Sequence, residues 1–194
     1  MNRRLCNGVI VGAISSVCFG AVPAAAHTGG PISGLSSGLL HPFLGVDHLF
    51  AMVTVGILAV TWGRLVTVPA TFLAAMATGG ALGIVGLALP FGEAAIALSV
   101  VALGAALVAG QTLRPNYAIG MVALAGLVHG HAHGAEAPDA AHPVVYVTGF
   151  VLATAALHLA GVASGNAMRT RPATRAAIGA LVFGLGAGLL APVI

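Results

Sequence analysis

The chain has 194 residues, of which 59% are hydrophobic and only 6% charged. Soluble domains carry roughly 25% charged residues, so neither a water-facing globular domain nor a disordered chain is compatible with this composition. All seven basic residues are arginines, two of them at Arg3 and Arg4, so no basic patch remains to follow phosphates and nucleic acid is not expected as a partner. A mean hydropathy of +1.06 with 28 glycines points to helices in a lipid bilayer, packed closely through small residues.

Residues 1–26 read as a secretory signal peptide. Arg3 and Arg4 supply the positive start, Leu5 to Val22 the apolar middle, and Ala24-Ala25-Ala26 the small residues before a cut at His27. Cleavage removes Cys6 and Cys18, the only cysteines, and with them any disulfide, Fe–S cluster or thiolate site. The mature chain, residues 27–194, is expected to be a single transmembrane domain.

Apolar runs of about 20 residues mark membrane spans. Six are predicted, over 38–61, 66–89, 92–110, 116–134, 143–166 and 174–193. The expected fold class is thus an all-α integral membrane protein with six helices and both mature termini periplasmic. The arginines agree with this orientation. Arg64, Arg114, Arg169, Arg171 and Arg175 all fall on the cytoplasmic side, and the outer loops near Pro90 and Ala137 hold none. Glycine-x-x-x-small patterns suit packing within one chain or between copies, so a homo-oligomer is compatible with the sequence.

Four carboxylates and eight histidines remain, and eleven of these twelve groups lie toward the outer face. Ionisable groups inside spans are costly and point to function. The first cluster is HPFLGVDH, His41 to His48. His41 and His48 share a helix face but lie ~10 Å apart along it, too far for one metal on a straight helix. Asp47 and His48 meet one ion only if Pro42 and Gly45 distort the helix. Otherwise Asp47 stands behind and orients a histidine from another helix. The competing reading is a helix cap and polar glue between helices.

The second cluster is VHGHAHGAE, Val128 to Glu136. His129 and His133 are one turn apart on one face. His131 points away unless Gly130 and Gly134 unwind the helix end. The competing reading is a histidine-rich loop that binds metal adventitiously. Imidazole with carboxylate suits Zn, Cu(II), Fe, Ni and, by extension, Co. His158 lies deeper, either as a hydrogen-bonding group between helices or as a second station on a path. Glu93 opens the third span, where it complements the helix dipole or serves as a ligand. His27 would pair its imidazole with a free amine after cleavage.

At these two motifs the sequence resembles the HupE/UreJ family of membrane proteins. The family's His-Pro-x-x-Gly-x-Asp-His motif is complete as HPFLGVDH. Its second motif, Phe-His-Gly-x-Ala-His-Gly-x-Glu, reads VHGHAHGAE, with Val128 in place of the apolar first residue. The resemblance implies uptake of Ni²⁺ or Co²⁺ as transported ion across a bacterial inner membrane, as a multi-pass permease. It implies roles for His41, Asp47, His48, His129, His133 and Glu136, with His131, His158, Glu93 and His27 as further candidates. The alternative function is a membrane metal-binding accessory subunit for metalloenzyme maturation that does not itself conduct. No enzyme is expected: HExxH is missing from the sequence, and so is the nucleotide-binding GxxxxGK[ST]. A bis-histidine haem carrier is a further, weaker alternative.

Overall fold

The computed structural model describes residues 34–89, 92–137 and 143–192, within the unit Pro31–Ile194. The predicted signal peptide and His27 lie outside the described residues. Among the described residues all regular structure is helical: α1 (Gly34–Leu44), α2 (Val46–Thr61), α3 (Thr67–Ile84), α4 (Gly92–Ala109), α5 (Pro115–Ala135), α6 (Pro143–Ala167) and α7 (Pro172–Leu190), with a 3-10 turn at Gly110–Thr112 after α4.

Local signals set the helix ends. Pro115, Pro143 and Pro172 each stand at the first helical position, where the missing N–H has no intrahelical partner to lose. α2 and α3 stop at glycines with positive φ, Gly63 (65°) and Gly86 (77°). After each glycine the next N–H turns back to the helix: Arg64 to the Ala59 carbonyl at 2.8 Å and Leu87 to the Leu82 carbonyl at 3.1 Å.

α3, α4 with its 3-10 extension, α6 and α7 are long and apolar enough to cross a bilayer. α1 and α2 qualify together as a fifth candidate, bent by 84°. The six predicted spans are thus matched by four helices, or five counting the bent pair, on length and apolar character. α5 has 21 residues, enough for ~30 Å, but three histidines dilute its apolar sequence. The difference in the first span has a physical cause. Its apolar run is continuous in sequence, whereas its backbone is extended at Gly45.

The helices associate in close pairs through glycine. On α3 and α5, a Cβ at Gly79 would strike the Leu127 carbonyl, and one at Gly130 the Met76 backbone. Gly38 and Gly149 bring α1 onto α6, Gly56 and Gly161 bring α2 onto α6, and Gly104 and Gly179 bring α4 onto α7. Small residues permit this approach, which supplies dispersion contact where lipid offers no hydrophobic drive. The outward faces stay apolar, with Leu98, Leu124, Leu152, Leu159 and Leu181 all exposed. At the end where α2 finishes, Trp62 Nε1–H donates to the Gly110 carbonyl at 2.8 Å and Gln111 donates to the Thr61 carbonyl at 3.1 Å.

Candidate metal centre

The break at Gly45 builds the first half of the site. Gly45 has extended backbone (φ −100°, ψ 122°) and separates α1 from α2. The bend brings the His41 and His48 ring centroids to 6.2 Å instead of the ~10 Å of a straight helix. A Cβ at Gly45 would stand 2.7 Å from Asp47 Oδ1 and 2.8 Å from His48 Nδ1, so glycine clears room for that pair. Asp47 Oδ1 accepts two hydrogen bonds, from the His48 backbone N–H at 2.8 Å and from His48 Nδ1–H at 2.7 Å. The ring is thereby oriented with its proton on Nδ1 and a lone pair on Nε2. Asp47 orients its own neighbour rather than a histidine of another helix.

α5 supplies the second half. It remains helical to Ala135, so His129 and His133 keep one face. His129 Nδ1–H donates to the Ala125 carbonyl at 2.9 Å, and Ser99 Oγ of α4 lies 3.4 Å from the same nitrogen. That again leaves Nε2 as the lone-pair nitrogen. His133 is fully buried, stacked on Phe150 at 4.8 Å.

The two halves meet. Ring centroids are 4.5 Å apart for His48 and His133, 4.7 Å for His41 and His133, and 4.9 Å for His48 and His129. With metal–imidazole bonds of ~2.0–2.1 Å, as for zinc, two rings at right angles around an ion have centroids ~4.5 Å apart. The spacing is therefore of the right size. Nε2 of His48, Nε2 of His129 and both nitrogens of His133 are buried without a hydrogen-bond partner. Each such group costs about 1–3 kcal/mol unless something satisfies it. Among the described residues, however, no three His, Cys, Asp or Glu side chains already form a ready ligand set. The His41–His48, His41–His133 and His48–His129 contacts are edge-on, so closing around an ion requires ring rotation.

The rim joins α1 to the end of α5. His41 Nε2 lies 3.2 Å from Glu136 Oε2, with side-chain exposures of 15% and 56%. The hydrogen bond from His41 holds the Glu136 carboxyl below its ordinary range, against the opposing effect of burial. Tyr146 of α6 lies beside His41, ring centroids 5.9 Å apart, and its buried hydroxyl has no partner.

Other predicted residues stand apart. His131 points to α3's end, where its Nε2 meets the Leu87 carbonyl. Glu93 is exposed in the first turn of α4, and neither ion pair among the described residues includes it. His158 is buried with both nitrogens unpartnered, and Phe72 touches both it and His129, at centroid distances of 5.1 and 6.0 Å. The sequence reading missed Ser99, Tyr146, Phe150 and Phe72 at this site. Single aromatic and hydroxyl residues in apolar spans carry no periodic signal, and only their packing reveals them.

This architecture defines a class: a membrane-type helical protein with an imidazole and carboxylate cluster near one end. Comparison with known proteins narrows it. The family described as HupE / UreJ protein matches residues 15–189. Protein HupE from Rhizobium leguminosarum bv. viciae is 46% identical over 142 residues, 72% of this chain and 74% of that protein. No solved structure matches. The chain belongs to the HupE/UreJ family, which is associated with nickel or cobalt uptake and with hydrogenase or urease maturation.

Proposed function

We propose that this protein admits Ni²⁺ or Co²⁺ through a bacterial inner membrane from the periplasmic side. In this reading residues 1–26 are cleaved, and six spans place both mature termini outside. His41 and Glu136 meet the hydrated ion at the rim. His48, His129 and His133 then exchange imidazole for water, with Asp47 holding His48 in its ligating form. The observation that carries the proposal is the convergence of four histidines from α1, α2 and α5, three of which, His48, His129 and His133, have buried nitrogens that lack partners. Membership of the family supports the choice of ion.

An interior-negative potential drives a dication inward by about 4.6 kcal/mol per 100 mV, twice the single-charge value. The chain needs no nucleotide for this. The test is uptake of radiolabelled nickel and cobalt into proteoliposomes by the intact chain and by folded His48→Ala and His133→Ala. Uptake by the intact chain, lost in both variants, is the expected result. Metal binding without movement under an imposed potential would instead favour a non-conducting accessory subunit.

A further inference from the structure

One helical turn beyond His48, α2 presents Met52, which is fully buried. Met76 of α3 is equally buried and stands against Gly130, next to His129. Thr154 of α6 lies between the two sulfurs: its Oγ1 is 3.2 Å from Met52 Sδ and 3.6 Å from Met76 Sδ, donating toward both. A hydroxyl in an apolar helix ordinarily bonds back to the carbonyl one turn earlier. Thr61, Thr78, Thr148 and Ser164 all do so in this chain, to Ile57, Ala74, Val144 and Ala160. Thr154 instead bonds to two thioethers, weak acceptors whose lone pairs are also soft metal donors. His158 is one turn further along α6, 2% exposed, with neither nitrogen partnered. Phe72, one turn before Met76 on α3, packs on the His158 ring. Two sulfurs, a hydroxyl and an imidazole thus line adjoining faces of α2, α3 and α6, directly past the histidine cluster.

We propose that Met52, Met76 and Thr154, with His158, form a second binding station for the transported cation. The inference rests on the uptake reading above and deepens it. The donors are neutral and soft to borderline. They accept late first-row cations such as Ni²⁺ and offer little to Mg²⁺ or Ca²⁺, which require several oxygens. Thioethers also hold a dication less tightly than imidazoles. A weaker station behind a tighter one lets the ion leave the histidines without being trapped, as conduction through successive sites requires. Thr154 serves by turning its hydroxyl away from the sulfurs and offering its oxygen.

The test compares the intact chain with M52L/M76L, a nearly volume-conserving exchange. Nickel affinity of the purified protein in detergent should stay within about twofold, because the histidine cluster is untouched. Nickel uptake into proteoliposomes should fall at least about tenfold, the scale on which supporting groups of metal sites act. A second measurement does not depend on that variant folding. Nickel X-ray absorption on His48→Ala/His133→Ala, which lacks two histidines of the first station, should show sulfur scattering. Unchanged uptake by folded M52L/M76L, or scattering from nitrogen and oxygen alone in the histidine variant, overturns the proposal. An intact chain that moves no nickel defeats the uptake reading instead, and sulfur scattering still decides whether the station exists.

Discussion

Asp47 and His48 are neighbours in the chain, yet they act as one unit because a single carboxylate oxygen takes both the backbone N–H and the ring N–H of His48. An amide at position 47 cannot accept the ring proton with the same strength and supplies no charge. Asp47→Asn should therefore leave the helices intact and weaken nickel affinity by about 10–100-fold, the usual effect of losing a group that orients a metal-binding histidine. Equilibrium nickel binding checks this, and unchanged affinity would show that His48 is not held by Asp47 in any useful sense. At the rim, Glu136 is held below the ordinary carboxylate range by the His41 hydrogen bond. A lowered folded value means its stabilising contribution is complete above the unfolded value and disappears as pH falls through the folded one. The difference in thermal midpoint between the intact chain and Glu136→Gln should thus shrink as pH falls through and below the usual glutamate range. A difference that stays constant across that range would contradict the assigned contact.

At the scale of elements, the α3–α5 pair holds two histidines in register against the bent first span. Gly130 meets the Met76 backbone, whereas Gly120, on the same helix, meets nothing. Gly130→Leu should therefore lose several kcal/mol in detergent denaturation, since the backbone it strikes cannot move aside. Gly120→Ala should be neutral or gain about 0.5–1 kcal/mol from helix propensity. Equal effects of the two would remove the close-packing account.

Some of this was legible in sequence. The four-residue spacing of His129 and His133 places them on one helix face, and α5 keeps that face. The outward bearing of His131 on an ideal helix also matches its contact with Leu87. The meeting of His41 and His48 was not legible. It depends on the 84° bend at Gly45, and HPFLGVDH is compatible with a helix kinked anywhere between Pro42 and Gly45. Helix partners were hidden for a different reason. These helices are apolar on most faces, so periodicity does not distinguish a lipid-facing side from a packed one. Glycine positions carry that information only once the helices are side by side.

On the scale of the whole molecule, the described arginines Arg64, Arg114, Arg169, Arg171 and Arg175 follow α2, precede α5, join α6 to α7 or open α7. The histidine cluster uses the opposite termini, the start of α2 and the end of α5. This polarity is what the proposed orientation requires, with metal met at one face and positive charge kept at the other.

The central claim is that His48 of α2 and His129 and His133 of α5 bind one ion together. X-ray absorption at the nickel edge of the purified, nickel-loaded protein tests it most directly, with His48→Ala and His129→Ala measured alongside. The prediction is scattering from about three imidazoles in the intact chain and fewer in each variant, with weakened binding. Bound nickel without imidazole scattering, or the same spectrum in all three proteins, would contradict it.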